Sequence, residues 1–425
     1  MFCIQKAVVD RLMPTQRSLK CGKARGDHTD RVSVRLALGM PFTFIRNRLT
    51  VLHALQCDRK LRRSWPNWQF PREGAINTKM NRSSRDEGLT YRWHEPPKSG
   101  ESIEVSDGVH WIRMPLPFAL DHINLWLLDD GDGWVLVDTG FDSPDTKELW
   151  GSLFETVFSR YPPKKLICTH HHPDHMGLAG WLTNQFDIPL WTTQKEWDAF
   201  HQWGRLDQDT LIPLMRQFYE RGGVSKERQE RDLERRQVRW DRKHLESDVL
   251  NLLKADDSIR AGGKEWVVKI GEGHAPELAA LFNAENKILI SGDQVLPRIS
   301  PNVSVLPFDL EADPLKAFMD SLSEFLTLPE DTLVLPSHKL PFTGLHARIK
   351  TLLAHHEERL LVTLDACRNG ATTSEATHVL FPRALDDHQY FFAFGETLAH
   401  LNFLWHSGVL AREESASGAY VFMTA

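Results

Sequence analysis

Between Lys164 and Gly180 the chain reads KKLICTHHHPDHMGLAG, with four histidines and one aspartate in the six positions 170 to 175. Imidazole and carboxylate are the usual ligands of divalent metal ions, so the spacing decides which of them could share one. Residues two apart in an extended chain point to the same side, so His170 and His172 can meet one ion while His171 faces away. Pro173 ends the extended run, and Asp174 and His175 open a helix from which they can turn back toward a second, adjacent ion. Three other segments carry the same kind of residue: GEGHAPE supplies His274, ILISGDQ supplies Asp293 and LVLPSHK supplies His338. Each stands at the carboxyl end of an apolar strand beside Gly, Pro or Ser, where loops build sites. A lone histidine is more often a satisfied core or surface group, but seven ligand-type residues on four strand ends are hard to attribute to chance.

Two divalent ions about 3.5–4 Å apart can share a water and lower its pKa from about 15.7 toward 7. The chemistry expected is therefore attack by a metal-bridging hydroxide, with Asp174 orienting it and passing a proton to the leaving group. No serine or cysteine nucleophile is required. Imidazole and carboxylate ligands without thiolate suit two zinc ions first, and iron or manganese also fit.

The elements that must hold these residues are legible around them. IEVSDGVHWIRMPL predicts two short strands about a turn, and INLWLLDDGDGWVLVDTG predicts a hairpin with an Asp-Gly turn. A helix near 145 to 159, the strand KKLICTH, a helix over about 175 to 185 and the strand PLWTT follow. Strands interleaved with helices indicate an α/β layered domain. Residues 194 to 255 break the rhythm with no strand signal and with Leu, Met, Phe and Trp at spacings of three and four, so a helical insertion is expected there. Strands then return in KEWVVKI, LAALFNAENKILISGD and TLVLPSH.

With VDTG at 137 to 140, HHHPDH at 170 to 175, GHAPE at 273 to 277, SGD at 291 to 293 and PSH at 336 to 338, residues 100 to 350 resemble the metallo-β-lactamase fold superfamily, in particular its glyoxalase II-like, zinc-dependent hydrolase branch. The resemblance implies a four-layer αβ/βα sandwich with the metals in a groove at its edge. It also implies that His170, His172 and His274 bind the first metal, that Asp174, His175 and His338 bind the second, and that Asp293 bridges them. Asp138 matches the family's buried acidic residue, which stands behind the ligands and orients a ligand or a loop. Pro276-Glu277-Leu278 departs from the family's usual continuation and leaves open what that loop contributes.

Composition bounds the remainder. The 425 residues are 25% charged and 41% hydrophobic, an ordinary globular mixture able to bury a large core. No run of 18 apolar residues occurs, and the opening MFCIQKAVVDRLMP lacks the apolar stretch of a secretory signal, so a cytoplasmic protein without a membrane segment is expected. Five scattered cysteines, none in CxxC spacing, indicate neither a disulfide framework nor a thiolate zinc site. Residues 1–86 carry 18 Lys/Arg against 6 Asp/Glu, whereas 87–425 carry 33 against 51. The first stretch is expected to be a basic, poorly ordered extension upstream of a start at Met80, and the acidic remainder disfavours a polyanionic substrate.

The expected organisation is thus a basic extension over 1–86, a metallo-β-lactamase-fold domain over 87–350 with its insertion at 194–255, and a C-terminal domain over 351–425. In the insertion, Trp197, Phe200, Trp203 and Phe218 are expected to form an apolar wall beside the metals that sets substrate size. In the tail, a helix stopped by Asn-Gly, a capped helix from TTSEATHVLF, a longer helix and a hairpin resemble a winged helix. Its expected work is dimerisation or support of the lid. Nucleic-acid contact is disfavoured because HLNFLWHSG is apolar where a recognition helix should be basic. His355 and His356 are expected at the surface or behind the metal ligands. The function expected is hydrolysis of a small-molecule ester, lactone or thioester; the alternative is a phosphodiesterase or endoribonuclease.

Overall fold

A computed structural model describes residues 87–236 and 249–425. The basic stretch 1–86, and the expectation that it is a poorly ordered extension, lie outside the described residues. Two sheets form the centre of the molecule. The first runs in the order β1 (Ile103–Ser106), β2 (Val109–Pro115), β3 (His122–Asp129), β4 (Trp134–Val137), β5 (Pro163–Ile167), β6 (Leu190–Thr193) and β7 (Leu250–Leu253). Its first four strands are antiparallel and its last four parallel. This is what tight turns at one end and helical crossovers at the other require. The second sheet is ordered β13 (Phe342–Thr343), β12 (Leu333–Pro336), β11 (Ile288–Gly292), β10 (Leu278–Asn283), β9 (Lys264–Gly271) and β8 (Ser258–Ala261).

Strand alternation explains how the layers meet. On β3, Ile123, Leu125 and Leu127 turn outward to a core shared with α1 (Pro144–Glu155), the single turn α2 (Pro173–Met176) and α3 (Ala179–Phe186), while Trp126 and Leu128 turn inward. The inward core joins Trp111, Trp126, Val137 and Ile167 to Trp266, Leu281, Ile290 and Leu335 of the second sheet. The second sheet's other face is covered by α7 (Pro314–Phe325) and α8 (Leu345–Ala366). Helices, sheet, sheet and helices make the four layers expected. Both faces of each sheet are buried, so its central strands read as nearly continuous apolar runs.

Two sequence expectations need correction. The segment 194–255 is not wholly helical, because after α4 (Gln194–Arg205), α5 (Gln208–Arg221) and α6 (Lys226–Arg236) the chain forms β7, parallel to β6. NLL is too short a run to announce a strand by period, and pairing with β6 decides it. The apolar wall also divides. Trp197 and Phe200 belong to the outer core of the first sheet, Phe218 packs on Phe391 and Phe394 of the C-terminal region, and half-buried Trp203 meets Phe308. Amphipathic helices bury their apolar stripes on the nearest core rather than leaving them to a groove.

Helix α8 runs unbroken across the expected boundary at residue 350. Beyond it come β14 (Ala371–Thr372), α9 (Thr373–Leu380), α10 (Asp387–His406), β15 (Leu410–Glu414) and β16 (Tyr420–Thr424), with sheet order β14-β16-β15. Thr372 and Glu375 close a capping box at the start of α9. Helix α10 is buried along most of its length, in one core with the second sheet, α5 and α6. Among the described residues, no helix is long and apolar enough to cross a membrane.

Candidate metal centre

Strand ends at one edge of the sandwich gather the donors. β5 leads into Cys168, Thr169 and His170; β9 into Gly273 and His274; β11 into Asp293; β12 into Ser337 and His338. Main-chain bonds from Asn124 N–H to the Ser337 carbonyl (2.6 Å) and from Ala279 N–H to the Thr169 carbonyl (2.9 Å) tie the two sheets together here. Gly273 sits at φ +91°, and a Cβ on it would lie 2.3 Å from the Pro314 carbonyl oxygen. Only glycine lets the His274 loop pass so close to α7.

All seven expected ligands converge, in three overlapping groups whose donor atoms lie within 4.8 Å of one another: His170, His172 and His274; Asp174, His175 and His338; and His170, His175 and Asp293. In the first group, His170 Nε2 faces His172 Nδ1 at 3.0 Å and His274 Nε2 at 3.3 Å. In the second, His338 Nε2 is 3.5 Å and His175 Nε2 3.7 Å from Asp174 Oδ2. Asp293 lies between the groups: its Oδ2 is 3.4 Å from His274 Nε2 and 3.6 Å from His175 Nε2, and its Oδ1 is 3.3 Å from His338 Nε2.

The partners behind the rings fix which nitrogens are bare. The Nδ1–H of His274 donates to the Asn302 carbonyl and that of His338 to the His122 carbonyl, both at 2.8 Å. His175 Nδ1 donates to Asp138 Oδ2 at 2.8 Å. Asp138 also accepts the Thr169 main-chain N–H on Oδ1 (2.7 Å) and the Thr169 hydroxyl on Oδ2 (2.9 Å). With that hydroxyl proton committed, Thr169 Oγ1 accepts from His170 Nδ1 at 3.0 Å. The Nε2 atoms of His170, His175, His274 and His338 are thereby the ring nitrogens turned toward one another and toward two carboxylates, where they could serve a metal ion.

The lone pairs of His170 Nε2 and His274 Nε2, facing at 3.3 Å, repel unless a cation lies between them. Tetrahedral nitrogen ligands at about 2.0–2.1 Å from an ion stand about 3.3 Å apart, which fits this spacing. His175 Nε2 and Asp293 Oδ1 are buried with no hydrogen-bond partner, as atoms kept for coordination would be. These residues fit a pair of divalent ions. Protonation behaviour divides the rings. Burial, and then the neighbouring rings, hold His170 and His172 well below the ordinary imidazole range. Burial also opposes a proton on His175, yet the carboxylates of Asp174, Asp138 and Asp293 together outweigh it and raise this histidine well above that range. His338 is raised in the same way, chiefly by Asp293 against its own burial.

Several contributors are silent in the sequence. His171 points away from the cluster as expected, to buried Glu196 of α4: its ring Nδ1 lies 2.6 Å and its main-chain N–H 2.9 Å from Glu196 Oε2. The other oxygen of Glu196 accepts the Glu277 main-chain N–H at 2.6 Å, so this one carboxylate joins the HHHPDH loop to the unusual Pro276-Glu277-Leu278 turn. Asn302 and His122 act through backbone carbonyls, which no side-chain motif announces. His356 needs correction: it is wholly buried between helices and bonded to His400, neither at the surface nor behind a donor of the cluster.

Comparison with known proteins agrees with this geometry. The sequence profile of the metallo-beta-lactamase superfamily matches residues 119–338, and that of the metallo-beta-lactamase-like C-terminal domain matches 360–425. The chain belongs to the metallo-beta-lactamase superfamily and is a metal-dependent hydrolase of that class. Among its relatives, the probable metallo-hydrolase YqjP of Bacillus subtilis is 28% identical over 320 residues, 71% of this chain and 93% of the relative. A crystal structure of a beta-lactamase domain protein from Burkholderia ambifaria is 38% identical, with a TM-score of 0.72 over 80% of this chain and 98% of the other. A metallo-beta-lactamase family protein from Thermus thermophilus is 27% identical, with a TM-score of 0.64 over 76% of this chain and 100% of the other.

Proposed function

We propose that the protein is a binuclear metal-dependent hydrolase of a small-molecule carboxylic ester, lactone or thioester. The observation that carries this reading is the convergence of seven donors into two groups with Asp293 between them. The donor chemistry favours two zinc ions, with iron or manganese as the other choices. When bound, such ions supply Lewis acidity and bring the pKa of water from about 15.7 toward 7.

The chain's own residues divide the remaining work. Asp174 keeps 19% of its side-chain surface against 9% for Asp293, which supports its assignment as the group that takes a proton from the attacking water and returns it to the leaving group. Asp138, Thr169 and the Asn302 and His122 carbonyls hold the imidazoles in the tautomer that turns Nε2 inward. Cys168 is no competing nucleophile, because burial and then the Asp138 charge push its thiol well up. The free thiols Cys168 and Cys367 suit the reducing cytoplasm.

A phosphodiesterase is the second reading. It is favoured by the C-terminal order of helix, strand, two helices and hairpin with sheet order β14-β16-β15, which we read as a winged helix. In such a module α10 would enter the nucleic-acid groove, yet its residues from Tyr390 to Leu404 are mostly buried. The module is better read as a support for the hydrolase. The test is a panel of acyl-thioesters, lactones, aryl esters, a cephalosporin, a phosphodiester and single-stranded RNA, each with zinc and with chelator. Turnover of an ester, lactone or thioester that chelator abolishes is the expected result, and turnover of the phosphodiester or RNA alone would invert the ranking.

A further inference from the structure

Helix α4 begins with a capping signature that the helix does not use. Thr193-Gln194-Lys195-Glu196 has the pattern Ser/Thr-x-x-Glu, in which the first side chain caps the helix and the fourth reaches back to it. The same pattern closes at the start of α9: Glu375 N–H donates to Thr372 Oγ1 at 3.3 Å, and Thr372 N–H to Glu375 Oε2 at 2.8 Å. At α4 the box is open. Thr193 makes no side-chain cap bond and donates its hydroxyl to the Glu277 carbonyl at 2.7 Å, and both oxygens of Glu196 are taken by other segments.

Glu196 is wholly buried. Its Oε2 accepts the main-chain N–H of His171 at 2.9 Å and the ring Nδ1–H of the same residue at 2.6 Å, and its Oε1 accepts the Glu277 main-chain N–H at 2.6 Å. Three donors satisfy the carboxylate, and its place in the first turn of a helix favours the negative charge further. Glu277 is thereby gripped on both sides, its N–H by Glu196 and its carbonyl by Thr193. Lys195, between them in sequence, adds only exposed ion pairs to Glu272 and Glu277, which contribute little.

The two segments joined in this way are the ones that deliver the first group of donors. His170 and His172 flank His171, and His274 stands three residues before Glu277. The rings of His170 and His274 are oriented from behind by Thr169 and by the Asn302 carbonyl. Among the described residues no such partner stands behind the His172 ring, which meets His170 Nε2 at 3.0 Å and the rings of His171 and His274 at centroid distances of 4.7 Å. Its place is therefore set by its backbone, and Glu196 holds the residue before it. The second group is anchored elsewhere. His175 is held through Asp138 and, at its carbonyl, by the Thr139 N–H and hydroxyl, both at 2.9 Å, and His338 through the His122 carbonyl.

We propose that Glu196 is a positioning residue of the first metal position. By tying the HHHPDH loop to the Pro276-Glu277-Leu278 turn, it holds His172 and His274 at the separation that one ion requires, and the capping box of α4 is given up for this. The role rests on the two-ion reading of the centre. It also gives the unusual turn at 276–278 a purpose, as the part of the His274 loop that α4 grips.

The test is zinc binding to the full chain in competition with a chelator, with the melting temperature of the metal-free chain measured alongside. The wild type should hold two ions. Glu196→Gln keeps the shape but sets an amide N–H against a donor N–H, and it should bind one of the two ions about 10- to 100-fold more weakly. The weakening should persist in the His338→Ala background, where the first position alone is left, and the cobalt-loaded variant should show a changed visible spectrum for that ion. Thr193→Val, which removes one bond to Glu277, should weaken the same ion by a smaller factor, and it decides alone if Glu196→Gln does not fold.

Wild-type zinc affinity at both positions in the two variants, with only the melting temperature lowered, would make the clamp a support of the fold and overturn its role. So would a weakening that disappears in the His338→Ala background, since the second position would then be the one affected. A wild-type chain that binds a single ion would end the two-ion reading, and weakening of that ion in Glu196→Gln would still uphold the positioning role. A chain that binds no metal would end both.

Discussion

Two regions of this protein are rich in buried histidine, and they behave in opposite ways. At the sandwich edge, outer nitrogens are spent on carbonyls, a hydroxyl and Asp138, and bare inner nitrogens meet the carboxylates of Asp174 and Asp293. Under the C-terminal helices, His400 Nδ1 donates to the Glu396 carbonyl at 2.7 Å and His356 Nδ1 to His400 Nε2 at 3.3 Å. His356 Nε2 is left buried and unpartnered there, but a cation, Arg359, stands where the first region has carboxylates. Burial, with Arg359 and His355 adding to it, brings His400 down to about 3. Glu396 turns its own carboxylate away, to Asn302 Nδ2 at 3.3 Å. Burial of the histidines is alike; the direction of the lone pairs and the sign of the neighbouring charge separate a site for cations from a neutral core.

The largest effect that can break this comparison is expected at the donors. His338→Ala or Asp174→Asn should lower metal content from close to two ions per chain to about one, read by elemental analysis. It should also cut kcat/KM by at least about a hundredfold, the size of losing one electrostatic stabiliser of a transition state. Full activity in a metal-stripped sample would refute the mechanism. One layer back, Asp138→Asn should weaken metal binding about 10- to 100-fold in a chelator competition while the fold persists. An unchanged affinity would mean that Asp138 serves only the Thr169 turn.

Glu396 gives a pH test of the second region. Burial raises its carboxyl from the ordinary 4.5 to about 7. Its contribution to stability is therefore complete below about pH 4.5, where folded and unfolded chains both hold the proton. It is lost as pH rises to about 7, on the order of 3 kcal/mol in all. Glu396→Gln stays neutral, so it should melt at the same temperature as the wild type near pH 4.5 and clearly higher at about pH 8. Parallel melting curves across that range would place the charge in water rather than in the core. The smallest effect is expected from His356→Leu with His400→Leu: metal content and activity unchanged, and a melting temperature within a few degrees of wild type, since an unpaired buried nitrogen is exchanged for carbon. Loss of metal from that variant would erase the distinction between the two regions.

The same contrast explains what could be read in advance. HHHPDH, GHAPE, SGD and PSH follow apolar strands, and strand ends with turn residues are local signals, so the donors and their sheets were legible. Glu196, Thr169, Asn302 and His122 were not, because a single carboxylate, a hydroxyl and two backbone carbonyls carry no periodicity. Strand β7 and the separation of Trp197 and Phe200 from Phe218 depended on which surface each segment met.

The amino-acid sequence by itself determined the ligand types, their order along the chain, the strands that deliver them and therefore a metal-dependent hydrolase. Only the tertiary structure decided which nitrogens of His170, His175, His274 and His338 turn inward, that Glu196 ties the HHHPDH loop to the Glu277 turn, and that α10 is buried with α5 and α6 in one core. The physical reason is that residue type and spacing follow from local backbone geometry. Tautomer, charge environment and cavity instead arise from groups brought together across the chain, as when the carbonyl of His122 meets the ring of His338.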